Sequence, residues 1–273
     1  MAAFEQVQYG SDGYEQAITD ALRRDGVVAI NNVLDQQECS EHMTQLVDSL
    51  KIINPKLSAR HWNQKQLPAG PRDGLFQSLV GQLPAVWSIR THPHVRDVFT
   101  AAYSGLREES VDDFVVSADG INVQPPIGPY HDPDHDWAHL DQTIRGEPFK
   151  CVQGQVVLTN TSACFRCSPR SHIIYDELLD AARSPAHNTS NWCMFREGVR
   201  PTIQGYIEDA GGQYQIPVQV PQGSMILWLS STVHSASCSN VEPQLTLPIA
   251  GASGGEWFTC AIALARMWMS ATA

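Results

Sequence analysis

Apolar positions recur at helical spacing through the first third of the chain. Tyr14, Ile18 and Leu22 lie four apart, and Cys39, Met43, Leu46 and Leu50 follow one another at four, three and four. Asp35 opens that second run with Glu38 three residues on, the pairing of a capping box. Thr91 and Pro93 precede Val95, Val98, Phe99 and Ala102, and the pattern stops at Gly105. Each spacing gathers its apolar side chains on one face of a helix. Between the first two helices, residues 26–33 are apolar without helical period and predict a strand. After Asp112 the period changes. Residues 114–117, 121–124, 137–143, 151–159, 216–220, 225–230 and 257–264 are short, apolar or alternating, and bounded by Gly, Pro, Asn and Asp. Residues 173–183 read as one inserted helix, and 184–215, rich in Pro, Asn, Thr and Gly, as a long surface excursion. Helices followed by strands, with no strand–helix–strand alternation and no internal repeat, predict a mainly β fold. Residues 112–273 would form a barrel or sandwich, buttressed by mostly helical residues 1–111, in one domain spanning 1–273.

Composition narrows the function classes. With 18 Lys and Arg against 29 Asp and Glu, the 273 residues carry a formal charge of −11, and no basic cluster offsets it. Phosphate backbones and anionic lipid surfaces need such clusters, so nucleic acid and membrane are excluded as expected partners. At 42% apolar and 17% charged, the chain buries a sizeable core. The first ten residues have no basic start and no apolar core, and apolar runs such as 225–229 are too short to cross a bilayer. Seven scattered cysteines, an odd number, read as reduced thiols, which predicts a cytoplasmic protein. Cys164 and Cys167 form a lone C-x-x-C that reads as buried small apolar residues.

Candidate chemistry concentrates at residues 131–141, where three His and four Asp fall within eleven positions. Pro133 breaks any helix that would put His131 and His135 on one face. His139 and Asp141 differ, because on a strand positions i and i+2 point the same way and can offer an imidazole and a carboxylate to one metal ion. Next, 93 residues beyond Asp141, Gly223-Ser-Met-Ile-Leu-Trp-Leu-Ser-Ser-Thr-Val-His234 reads as turn, strand, turn and a His opening the next strand. Two imidazoles and one carboxylate on one face leave coordination positions for O₂ and a bidentate co-substrate, as a non-haem Fe(II) oxygenase requires. The His-x-Asp spacing is common by chance, and a packed histidine is its bland explanation. Its combination with the distal His234 is more specific.

The sequence resembles the phytanoyl-CoA dioxygenase (PhyH) family of Fe(II)- and 2-oxoglutarate-dependent oxygenases. The resemblance runs from about Tyr14 to Arg266. Its carriers, in order, are Leu22 to Ile30 with the helix opening at Asp35, His92 to Val95, Asp119 to Gln124, Trp137 to Gln142, Ser168-Pro-Arg-Ser-His172 and Gly223 to His234. It implies a double-stranded β-helix, the jelly-roll barrel, with His139, Asp141 and His234 as iron ligands and 2-oxoglutarate and O₂ as co-substrates. It also implies hydroxylation or a related oxidation of an unactivated C–H bond in a small molecule, here a specialised metabolite. The carboxylate of Asp141 favours hydroxylation, since related halogenases carry a small residue there. His172 fixes a turn in this reading, with Arg170 where Gly is usual.

Family members hold the far carboxylate of 2-oxoglutarate with an Arg soon after the distal His, because a guanidinium pairs bidentately with a carboxylate. Here no basic residue lies between His234 and Ala265, and Arg266 is the first. Arg266 is therefore the anchor candidate, with Lys150, Arg72 and Arg60 behind it. Asn122 and Gln124 are candidates to hydrogen-bond the co-substrate. Trp137 and Trp228 read as barrel packing. Two alternatives stay open: a metal-dependent barrel enzyme that does not use 2-oxoglutarate, and a catalytically silent partner of an active homologue.

Overall fold

The computed structural model describes residues 4–55, 75–76, 78–107, 114–116, 120–123, 137–159, 162–183, 191–236 and 261–269. Helix α1 (Tyr14–Asp25) buries Ile18, Ala21 and Leu22, as its spacing requires, and ends at Gly26, whose backbone is left-handed (φ 73°). Helix α2 (Gln36–Ile53) starts at the predicted capping box: the Glu38 N–H donates to Asp35 Oδ1 and the Asp35 N–H to Glu38 Oε2, both at 2.8 Å. Such a cap stabilises a helix start by about 1 kcal/mol. Helices α3 (Pro84–Arg90) and α4 (Pro93–Arg107) complete the N-terminal group.

These helices cover one face of an eight-stranded sheet. Its strands are β1 (Gln6–Gln8), β2 (Val27–Asn31), β3 (Leu75–Phe76), β4 (Phe114–Val116), β5 (Ile121–Val123), β7 (Val152–Val157), β11 (Met225–Leu229) and β13 (Ala261–Met269), in the order β1-β2-β11-β7-β13-β5-β3 with β4 on β13. The second sheet has five strands, β6 (His139–Leu140), β8 (Ser162–Cys167), β9 (Cys193–Met194), β10 (Ile216–Gln219) and β12 (His234–Ala236), in the order β10-β8-β12-β6-β9. The chain passes repeatedly from one sheet to the other, and strand alternation sorts the side chains. On β7, Val152 and Val156 pack under the helices with Phe99 and Tyr103, whereas Val157 joins Phe165, Cys167, Val218, Ile226 and Trp228 between the sheets.

Three expectations need correction. Content is mixed rather than mainly β, and the two sheets face each other without closing into a barrel among the described residues. The N-terminal third supplies four helices, while the second sheet is built of strands of only two to six residues. The excursion 184–215 is structured over its described part: helix α6 (Arg200–Asp209) buries Ile203 and Ile207 against helix α5 (Tyr175–Ala181). Pro201 and Gly205 obscured that i, i+4 pair in the sequence. Strand β8 was also not foreseen. Its Cys167 is fully buried with the thiol pushed far up by burial, in keeping with an inert packed residue. Cys39, Cys151 and Cys193 are likewise buried.

The turn Ser168 to His172 joins the layers. Arg170 has φ 69°, the left-handed region where glycine is at ease. The Ser171 hydroxyl donates to Ser168 O and accepts the Val233 N–H. His172 is buried, its Nε2 donating to Arg23 O at 3.0 Å. Burial holds its imidazole below the ordinary value of 6.5, opposed by the Arg23 carbonyl and the Asp25 charge and assisted by Arg170. A depressed imidazole is neutral when folded but takes a proton when unfolded, so stability present above about pH 6.5 is lost as pH falls below it. Half-buried His42, lowered by burial and by His92, adds in the same direction. Urea midpoints are expected to fall between about pH 7 and pH 5, less steeply in His172→Gln.

Candidate metal centre

His139 lies on β6 with Ala138 and Leu140 on either side of it. Alternation sends those two neighbours into the apolar cluster under α5 and α6 and His139 into the inter-sheet space. His234 opens β12 and pairs in register with His139. Asp141 follows β6 directly, its N–H held by Ser230 O at 3.1 Å. One ligand atom from each of the three lies within 4.8 Å of the other two, and all three residues are at most 6% exposed.

Two hydrogen bonds set the tautomers. His139 Nδ1 donates to Trp137 O at 3.1 Å and His234 Nδ1 to Thr232 O at 2.9 Å, each to the carbonyl two residues back. In a neutral ring this leaves Nε2 as the nitrogen with the lone pair, the one a metal takes. These atoms face Asp141, at 3.6 Å from Oδ1 for His139 and 3.5 Å from Oδ2 for His234. A buried carboxylate gains from a cation held between it and the two imidazoles. Two nitrogens and one oxygen, with no thiolate, suit a first-row divalent metal such as Fe(II).

The surroundings hold this geometry. Trp137 stacks on the His139 ring at 4.6 Å, and its indole N–H donates to Ala236 O. Gln153 Nε2 donates to Asp141 Oδ2 at 2.7 Å. Gln142, a soft candidate for co-substrate contact, is instead occupied: it donates to Ile144 O and Glu147 O and accepts from the Ser230 hydroxyl. Exposed Trp192 lies 5.9 Å from the His139 ring. Gln153→Leu should weaken Fe(II) binding about 10- to 100-fold, because the carboxylate loses the group that aims it. Competition against a chelator of known affinity measures this.

Among the other sequence candidates, Asn122 is buried on β5, and Gln124 lies outside the described residues. Arg266 sits sixth of nine on β13, its backbone in register with Gln153. A second group, Glu38, His92 and His94, also has ligand atoms within 4.8 Å, but these serve the starts of α2 and α4. Glu38 Oε2 is in the capping box, His92 Nδ1 accepts the His94 N–H, and His94 Nδ1 donates to Val33 O. Gln153 was missed by the sequence reading. Its one signal was a Gln-Gly-Gln stretch, residues 153–155, inside a valine strand.

The phytanoyl-CoA dioxygenase (PhyH) profile matches residues 22–240. The chain belongs to the PhyH family. That family works with Fe(II), 2-oxoglutarate and O₂, and the His-Asp-His group fits its metal. No curated protein matches the chain. Among solved structures, the GlcNAc-inducible GIG2 of Candida albicans is similar with a TM-score of 0.60, 14% identity, 98% of this chain covered and 67% of that one. The non-haem α-ketoglutarate-dependent carbocyclase SnoK of nogalamycin biosynthesis gives 0.56 and 16%, covering 92% of this chain and 83% of its own. EvdO2 from Micromonospora carbonacea var. aurantiaca gives 0.53 and 14%, covering 93% and 90%. At these identities the likeness carries the fold. No helix among the described residues is long and apolar enough to cross a membrane.

Proposed function

We propose that this PhyH-family protein is an Fe(II)- and 2-oxoglutarate-dependent oxygenase that oxidises an unactivated C–H bond of a small specialised metabolite, on a double-stranded β-helix scaffold in the cytoplasm. The observation that carries the proposal is the convergence of His139 Nε2, His234 Nε2 and an Asp141 carboxylate oxygen on one buried point. In this reading those three hold the metal and leave its remaining positions to the keto acid and O₂. With them bound, the centre supplies the oxidant: R–H, O₂ and 2-oxoglutarate become R–OH, succinate and CO₂.

The residues of the chain orient and enclose. Trp137 and the two backbone carbonyls fix the imidazoles, and Gln153 fixes the carboxylate. Phe165 and Trp228, 5.9 and 5.4 Å from the His234 ring, keep water from the inner side. Asn122 and Arg266 stand as co-substrate contacts, Arg266 because its backbone is in register with the residue that orients Asp141. A small-molecule substrate suits the acidic balance and the exposed Trp192 beside the metal ligands. The relatives from nogalamycin biosynthesis support a natural product as its class.

Anaerobic titration of the metal-free protein, first with Fe(II) and then with 2-oxoglutarate, tests the proposal. A visible metal-to-ligand band on adding the keto acid is the expected result. Iron binding without the band would point to a barrel enzyme that takes its substrate directly on the metal. No iron binding would leave a catalytically silent partner protein.

A further inference from the structure

Three residues stand side by side across neighbouring strands. Trp228 on β11 pairs in register with Gln153 on β7, and Gln153 with Arg266 on β13. This row lies level with the metal centre, since Gln153 reaches Asp141. Trp228 is 4% exposed and turned into the inter-sheet space, its ring 4.4 Å from Phe165 and 5.4 Å from His234. Its indole nitrogen is fully buried and has no hydrogen-bond partner. Gln153 Oε1 is in the same state, and because its Nε2 must face the Asp141 carboxylate the amide cannot flip to relieve it. Two residues along β7, Gln155 is also buried, at 3% exposure.

Buried polar groups are paired in folded proteins, so two orphans on one wall beside the candidate metal centre mark a place where something else supplies the partner. An indole N–H only donates, so it selects an acceptor. At 4% exposure it cannot meet a ligand from outside, only one enclosed with the metal. Resting on the 2-oxoglutarate reading above, we propose that the Trp228 indole N–H donates to the far carboxylate of the iron-chelating keto acid. A neutral donor thus takes a share of the charge that an Arg close behind the distal His would otherwise carry, which is the residue this chain lacks. Trp228 is then a co-substrate contact as well as packing.

The test uses the whole protein. Iron is loaded anaerobically and 2-oxoglutarate titrated through the metal-to-ligand band for the natural protein and Trp228→Phe, which keeps an aromatic ring and removes the N–H. Losing a hydrogen bond to a charged acceptor should weaken 2-oxoglutarate about tenfold or more, with Fe(II) affinity unchanged. In ¹⁵N-labelled protein loaded with diamagnetic Zn(II), the Trp228 indole resonance, assigned through its backbone, should move downfield on adding 2-oxoglutarate and not with Zn(II) alone. That measurement decides even where the variant folds poorly. A band of equal affinity in Trp228→Phe with an unmoved indole resonance overturns the assignment and leaves the oxygenase reading intact. Iron binding with no band in the natural protein removes both.

Discussion

Asp141→Ala should abolish 2-oxoglutarate turnover and lower Fe(II) affinity by more than about 100-fold, because loss of an outer-shell partner alone costs 10- to 100-fold and this removes a ligand outright. The effect on the empty protein should be small. In the folded chain the carboxylate is 6% exposed, with the Gln153 amide donating to it and the two imidazoles against it. Deleting it removes a buried charge and leaves the Gln153 amide without that acceptor. Iron-dependent thermal stabilisation should therefore vanish in Asp141→Ala while the melting point without metal stays nearly that of the natural protein. His139→Ala and His234→Ala should behave alike. Succinate formation at the natural rate in any of the three would remove that residue from the ligand set.

Gly26→Ala should be strongly damaging although it lies outside the candidate metal centre. Gly26 ends α1 with φ 73°, and a Cβ there would collide with the Thr232 hydroxyl and the His172 ring. Left-handed backbone for alanine and forced overpacking together predict a loss of about 2 to 5 kcal/mol. At this chain length that lowers the melting temperature by roughly 5 to 15 °C. The damage should reach the metal as well. Thr232 Oγ1 donates to Gly26 O, the Leu229 N–H to the same carbonyl, and Thr232 O holds His234 Nδ1. Calorimetry combined with Fe(II) titration separates the outcomes, and an unchanged melting temperature would contradict this account of the joint.

Local chemistry made much of this protein legible in advance. The helices α1, α2 and α4 announce themselves by spacings of three and four, and the α2 start by a capping box, because those signals lie within one or two turns of chain. The His-x-Asp pair was legible because strand alternation is equally local, and the distal His because a turn–strand–turn pattern precedes it. Helix α6 was hidden because Pro201 and Gly205 interrupt a face of only two apolar residues. Strand β8 was hidden because its cysteines read as isolated small residues.

Residue order alone thus indicates where helices start and stop, which side chains can share a strand face, and which three groups could offer a metal two nitrogens and an oxygen. Only the folded chain decides that Gln153 aims the carboxylate, that Gly26 from the N-terminal layer supports the loop before His234, and that Trp228 is buried with its N–H unpaired. Those facts arise between residues 12 to 206 positions apart, through strand registers and steric fits that no local pattern encodes. They depend on how two sheets and a helical layer exclude water together, and burial is a property of the assembled layers rather than of any segment.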